Sequence, residues 1–237
     1  MPSSTHENYL KAIFHLLEEG KAGVSTTELA AFMLTSPASV TDMLKKLSAR
    51  KLIHYRRYHG VKLTGNGRKA ALSVIRSHRL WEVFLVSKLR YGWDEVHELA
   101  EQLEHVKSPS LVSRLEEFLG FPRFDPHGDP IPDHEGKLPA SKGVRLSELP
   151  AGKQAKVISV LNTKEEYLRY LSDAGIKIGS EIKLLKLVDF DKSCEILLNR
   201  KQKLTLSHEA ARFLCVELKR NAARQPKENK FQNKSLP

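Results

Sequence analysis

"LTSPASVTDMLKKLSARKLIHYRRYHGVKLTGNG", residues 34–67, holds a helix start, a helix stop and a hairpin in one run. Ser36 offers an N-cap hydroxyl, and Pro37 suits the first helical position, where no amide N–H is needed. Val40, Met43, Leu44 and Leu47 recur at helical spacing and would bury one side, leaving Ala38, Ser39, Thr41, Asp42, Lys45 and Lys46 on the other. Further on, Ile53 and Tyr55 alternate with polar residues, His59-Gly60 supplies a turn, and Val61 to Leu63 returns. That hairpin carries Arg56, Arg57, His59 and Lys62. Upstream, "STTELAAFM" (25–33) is a shorter helix opened by a capping box of Ser25 and Glu28. Ser4 and Glu7 repeat that spacing ahead of Tyr9, Leu10, Ile13, Leu16 and Leu17. A leading helix, two short helices around a tight turn and a hairpin make a winged helix-turn-helix.

The charge agrees with that layout. Over 237 residues the formal net charge is +11, which favours a polyanionic partner, with double-stranded DNA first. Small and hydroxylated residues (Ser36, Ala38, Ser39, Thr41), with Asp42, allow close approach to base edges, while Lys45, Arg56, Arg57 and Lys62 supply attraction to phosphates. The bland alternative is a three-helix bundle with a solvated basic face, and caps, turn, hairpin and charge together weigh against it. Some of the excess charge lies in the tail "KRNAARQPKENKFQNKSLP", which lacks apolar periodicity and reads as disordered. The two cysteines, Cys194 and Cys215, sit among apolar residues and read as free buried thiols of a reducing compartment. No apolar run approaches the roughly 18 residues of a membrane helix, and the N-terminus lacks a signal-peptide layout. A cytoplasmic protein without membrane contact is expected.

After the hairpin, "LTGNG" opens a long helix to about Leu89, a second covers about Asp94 to Val106, and "SPSLVSRLEEFLG" makes a third. Proline and glycine density then marks "FPRFDPHGDPIPDHEGKLPASKG" as a linker, in which "HGDP" reads as a turn. Periodicity next becomes alternating: "KQAKVISVL", "SEIKLLKLV", "CEILLN" and "KLTLS" read as strands of a compact barrel, with a helix at "KEEYLRYLSDAG".

Within "VHELAEQLEHV" (96–106), Glu101, Glu104 and His105 stand at i, i+3 and i+4, so their side chains would converge within one helical turn. Carboxylates with an imidazole suit a divalent first-row metal. "SHRLWE" adds His78 and Glu82 at i, i+4, and His97 lies a turn before Glu101. Each pair alone reads more readily as a surface contact. The ensemble points to a cation, because like charges crowded on one face repel unless something positive joins them. A metal-binding enzyme or metal store with an incidental basic face is the rival class. No H-E-x-x-H motif, Gly-rich phosphate loop or nucleophile elbow supports a catalytic reading. A winged-helix regulator sensing an organic ligand is the other alternative.

Together, "ENYLKAIF", "SPASVTDMLKKL", "LTGNG", "HRLWE", "VHELAEQLEHV", "DPHGDPIP" and "GIKIGSEIKL" resemble the diphtheria toxin repressor and manganese transport regulator family of metal-dependent repressors, in its long form. The resemblance implies a fold that is mainly α with small β parts. It implies a winged helix-turn-helix over 1–73, a helical dimerisation and metal domain over 74–123, a linker over 124–143, an SH3-like barrel over 144–218, and a tail from 219. It implies a homodimer that binds palindromic operators of metal-uptake genes when loaded with metal. By position, an effector site would use Asn8, Glu101, Glu104 and His105, and an ancillary site His78, Glu82 and His97. A polar residue of the SH3-like domain often completes the ancillary site, with Asn162, Glu165 and Glu166 as candidates. Asn8 stands where relatives commonly carry Asp or Met, Lys11 where manganese-type relatives can carry Glu, and Asp125 where Cys is common. Glu101 stands where iron-type relatives have a sulfur ligand, so the set is oxygen-rich. Hard oxygen ligands suit Mn(II), with Fe(II) next and Zn(II) possible in vitro.

Overall fold

The computed structural model describes residues 3–18, 20–56, 60–106, 108–140 and 143–219. Three helices, α1 (Ser4–Glu18), α2 (Thr26–Phe32) and α3 (Pro37–Ala49), precede an antiparallel hairpin of β1 (Ile53–Arg56) and β2 (Gly60–Leu63). The local chemistry sets the starts. Ser25 and Glu28 form a complete capping box on α2, and the Ser36 hydroxyl accepts from the Ser39 amide at the start of α3, with Pro37 just inside. α1 departs from the reading above. Ser4 lies inside the helix and the Ser3 hydroxyl accepts from the His6 amide, so Glu7 is released from capping duty. Between α2 and α3, Leu34 takes a left-handed φ of 51° and is 94% exposed, a strained position in the tight turn that joins the two helices. Leu10, Ile13, Leu29, Val40, Leu44, Leu47 and Val61 fill the core of this body. The wing is pinned by an isolated bridge between Val24 and Val61.

The 23-residue helix α4 (Gly65–Ser87) joins the reading body to the next. Its first half gives Ala71, Leu72 and Ile75 to the winged-helix core, and its second half packs Leu80 and Leu85 against α5 (Val96–Leu103) and α6 (Pro109–Phe118). The Thr64 hydroxyl accepts from the Gly67 amide and donates to the Leu52 carbonyl, so the helix start is stapled to the turn between α3 and β1. A Cβ on Gly67 would lie 1.8 Å from that carbonyl.

The 121–140 stretch contains no helix or strand among the described residues, yet it is packed. Asp125, His127 and Ile131 are buried, and Asp125 Oδ1 accepts from the amides of His127 and Asp129. Gly128, at φ +86°, lies so close to the next body that a Cβ would meet the Ile158 carbonyl at 1.9 Å.

That body is an antiparallel six-stranded sheet. Its elements are β3 (Val144–Arg145), a 3-10 turn (Leu146–Glu148), β4 (Gln154–Val160), α7 (Glu165–Asp173), β5 (Glu181–Leu187), β6 (Cys194–Leu198), β7 (Gln202–Leu206), α8 (His208–Arg212) and β8 (Leu214–Leu218). The order is β3-β8-β4-β5-β6-β7. β8, which the sequence reading omitted, takes an interior place between β3 and β4. Its "LCVEL" alternation is short and abuts the polar tail, so its inward Leu214 and Val216 gave too little local signal. Both cysteines are free. Residues 220–237 lie outside those described, and the expectation of a disordered tail falls on them.

Gly67→Ala tests the stapled helix start. Alanine ordinarily stabilises a helix interior by about 0.5–1 kcal/mol over glycine, but here the Leu52 carbonyl must shift, which should destabilise by about 1–3 kcal/mol. Gly65→Ala, with open space around it, should be neutral or stabilising. Denaturant midpoints of the two variants decide.

Candidate metal centre

α4 and α5 bring the ancillary residues together. The ligand atoms of His78, Glu82 and His97 all lie within 4.8 Å of one another. His78 Nε2 is 3.0 Å from Glu82 Oε1, and His97 Nδ1 is 3.4 Å from the same oxygen. His78 Nδ1 lies 2.6 Å from Glu104 Oε2. One imidazole therefore spans the two carboxylates and makes the two groups of residues contiguous. Burial alone would lower the His78 pKa, but the Glu104 and Glu82 carboxylates outweigh it and hold it above the ordinary histidine value. Burial would likewise raise Glu82, and the imidazoles of His127, His78 and His97 keep it well below the usual carboxylate range.

The effector residues are placed differently from the helical-turn reading. α5 stops at Leu103 with Glu104 as its C-cap, so His105 leaves the helix instead of standing above Glu101. Glu101, Glu104 and His105 do not form a three-residue ligand group of the ancillary kind among the described residues. His105 Nδ1 turns to Glu7 of α1 at 2.7 Å, while its Nε2 is 3.5 Å from Glu104 Oε1. Glu104 and Glu101 face Lys11 of α1, whose Nζ is 2.8 Å from both Glu104 oxygens and 3.4 Å from Glu101 Oε1. Glu101 is also 3.7 Å from His97. The repulsion that the sequence reading assigned to a missing cation is thus offset by side chains of the protein. Asn8 Oδ1 is buried with no hydrogen-bond partner, an orphaned acceptor on the helix that carries Glu7 and Lys11. By chemistry, a buried amide oxygen without a hydrogen-bond partner, taken with the carboxylates of Glu101 and Glu104 and the His105 imidazole, is a donor set of the oxygen and nitrogen kind that suits a divalent cation.

Sequence reasoning missed two participants. Glu7 was assigned to a cap. His127 was assigned to a turn, yet it is 1% exposed, its Nδ1 is 3.6 Å from Glu82 Oε2, and its Nε2 is 2.7 Å from the Trp93 carbonyl. Glu82 raises its pKa to about 9 against the lowering effect of burial. With Asp125 it forms a second buried group sharing Glu82. Asp125 is already engaged by two amides and by Arg79 at 3.5 Å, which makes this a fastening of the 121–140 stretch to α4. A His two residues from a buried Asp was the only local signal. The sheet body reaches the centre through this fastening: the Val160 amide donates to the His127 carbonyl, and the Trp93 indole donates to Ser172 of α7. Asn162 caps its own turn, Glu165 pairs with Arg169, and Glu166 is exposed.

On the reading body, the N-cap Ser36 and Ala38, Ser39, Asp42 and Lys45 of α3 are exposed, as is Lys62 on β2. The hydroxyls are partly engaged: Ser36 and Ser39 bond one another, and Thr41 donates to the Pro37 carbonyl. Asp42 pairs with Lys46, leaving Lys45 as a cation facing outward. Arg56 ends β1, and Arg57 lies outside the described residues.

A basic winged helix-turn-helix joined by one helix to a carboxylate–imidazole centre defines a metal-responsive DNA-binding regulator. Residues 1–61 match the model for the N-terminal DNA-binding domain of iron-dependent repressors, residues 64–133 their metal-binding and dimerisation domain, and residues 144–218 the FeoA domain. The chain belongs to the iron-dependent repressor family. It is 31% identical over 192 residues to the diphtheria toxin repressor of Corynebacterium efficiens, covering 76% of this chain and 83% of that one. It is 30% identical over 225 residues to the iron-dependent repressor IdeR of Mycobacterium tuberculosis, covering 90% and 96%. A manganese-dependent transcriptional repressor in complex with manganese superposes with a TM-score of 0.82 at 35% identity, over 89% of this chain and 98% of that one. No helix among the described residues is long and apolar enough to cross a membrane.

Glu82→Gln removes the charge shared by His78, His97 and His127. Breaking such a buried pair by one partner costs about 3–5 kcal/mol, to be read as a lower denaturation midpoint in EDTA.

Proposed function

We propose that this chain is a metal-activated transcriptional repressor that binds a palindromic operator as a homodimer and controls metal-uptake genes. The observation that carries the reading is the meeting of two bodies at one cluster. Glu7, Asn8 and Lys11 belong to the helix that opens the reading body, whereas Glu101, Glu104 and His105 belong to α5 and the turn after it. A divalent ion held by Asn8, Glu101, Glu104 and His105 supplies charge neutralisation across that junction. The side chains then hold α3 at one orientation relative to the partner's α3, a shift of population and not a new DNA contact. His78, Glu82 and His97 form the ancillary site, with His127 orienting Glu82 from behind.

The oxygen-rich donor set supports Mn(II), followed by Fe(II), with Zn(II) binding in vitro. Raw affinity rises from Mn(II) towards Zn(II), so selectivity comes from geometry and metal availability. α3 enters the major groove with Ser36, Ala38, Ser39, Thr41, Asp42 and Lys45, and the wing brings Arg56, Arg57 and Lys62 to the backbone. The winged helix-turn-helix spans 1–73, the dimerisation and metal domain 74–123, the joining stretch 124–143 and the SH3-like domain 144–218.

Gel shifts with genomic fragments and purified protein test this. Mn(II) should tighten operator binding about 5- to 150-fold, the range of a typical coupling of 1–3 kcal/mol, and Glu101→Ala should remove that gain. Normal stimulation of Glu101→Ala overturns the effector assignment. Lys45→Ala should weaken binding across sequences and lower the salt slope by about 1; an unchanged slope removes Lys45 from the DNA surface.

A further inference from the structure

We propose that the Lys11 ammonium is a tethered cation: it holds the Glu104 and Glu101 carboxylates in the metal-free protein, must leave when a divalent ion takes them, and so sets the metal concentration at which the protein switches. The inference rests on the effector reading above and deepens it.

Lys11 Nζ lies 2.8 Å from each oxygen of Glu104, so one ammonium faces the whole carboxylate edge, and it reaches Glu101 at 3.4 Å. These are the two carboxylates of the effector set. The contact is not a surface pair: the Lys11 side chain is 14% exposed and that of Glu104 1%. Oxygen ligands of first-row metals stand at about 2.0–2.2 Å. An ion that close to a Glu104 oxygen would lie against the ammonium, and two positive charges cannot share one carboxylate edge at that separation without strong repulsion. The lysine stem can carry its charge towards solvent, since lysine is a compact charge on a flexible four-carbon chain.

The location makes the competition regulatory. Lys11 comes from α1 and Glu104 from the end of α5, so the ammonium bridges the same two elements that the effector site would bridge. Glu7, one turn earlier on the same face of α1, holds His105 at 2.7 Å and leaves Lys11 to the two carboxylates. Metal binding then replaces one bridge with another of different geometry. The competition is intramolecular, which gives the lysine a high effective concentration. Apparent metal affinity falls by the fraction of time the ammonium is seated.

Lys11→Met keeps most of the stem and removes the charge, Lys11→Gln keeps a hydrogen-bond donor, and Lys11→Arg keeps the charge. Mn(II) alone is the probe, with binding followed by the free-ion electron paramagnetic resonance signal and by thermal melting. Lys11→Met and Lys11→Gln should tighten Mn(II) binding at least about fivefold, the low end of typical couplings. They should melt lower than wild type in EDTA, because Glu104 loses one of its two closest partners and keeps His78, and gain more on adding Mn(II). Lys11→Arg should stay within about twofold of wild type, below that smallest coupling. If one neutral variant does not fold in EDTA, the other and the Mn(II)-loaded melts still report. Unchanged or weaker Mn(II) binding in the neutral variants, while Glu104→Gln loses Mn(II), overturns the proposal and leaves Lys11 as a structural ion pair. Full Mn(II) binding by Glu104→Gln overturns the effector reading itself.

Discussion

Glu104 carries a charge that the fold could not bury unaided. Its side chain is 1% exposed, and an isolated carboxylate there would be neutralised by protonation or exposed by local unfolding. Instead Lys11 of α1 and His78 of α4 converge on it, and together they hold its pKa below the ordinary carboxylate value against burial, which acts to raise it. Three elements far apart in sequence are thereby tied at one point. α4 runs from the winged-helix core into the helical body, α1 opens the reading body, and α5 carries the centre. A change in what partners Glu104 is felt at all three.

The same network extends through His78 to Glu82 and through Glu82 to His127, which sits in the stretch fastened to the sheet body. The order matters for energetics. Each imidazole placed between carboxylates, like the Lys11 ammonium on Glu104, offsets a desolvation cost that no single pair would repay. A buried network satisfied on all sides is rigid, and one with a missing partner is not. The Asn8 amide oxygen on α1 is one of the buried polar atoms that have no hydrogen-bond partner. An unsatisfied buried acceptor costs about 1–3 kcal/mol, which relaxation or a cation would recover.

Local chemistry made much of the fold legible in the sequence. The Ser25–Glu28 box, the Ser36 cap and Pro37 at the first turn of α3 all act over four residues or fewer, and all are present. The His78–Glu82 spacing was equally readable, because both residues lie within one unbroken helix. The errors share a cause. Glu7 matches a capping pattern locally but is claimed by His105, 98 positions away in sequence. His105 fits a helical i+4 spacing from Glu101, but α5 ends before it. His127 and Lys11 gained their partners only through tertiary packing, and proline density around His127 concealed a buried segment behind the signature of a loop. Whether a titratable side chain meets a metal, another side chain or water is decided by long-range contacts that periodicity does not encode.

The contacts at Glu104 also constrain how a metal switch of this shape can work. The Lys11 ammonium bridges α1 and the end of α5, the junction that a metal held by Asn8, Glu101, Glu104 and His105 would also span, so such a metal would replace one bridge with another. A ligand shifts such an equilibrium only by its differential affinity for the two arrangements. An ion gripping both arrangements equally would bind without switching. The differential can come from the elements that one bridge satisfies and the other does not. With Lys11 on the carboxylates, the Asn8 oxygen has no partner and His105 is paired with Glu7; an ion taking Asn8 and His105 would have to displace that His105–Glu7 contact. Selectivity for the active angle would then reside in the neutral amide and the imidazole, while the carboxylates, occupied in either state, supply affinity.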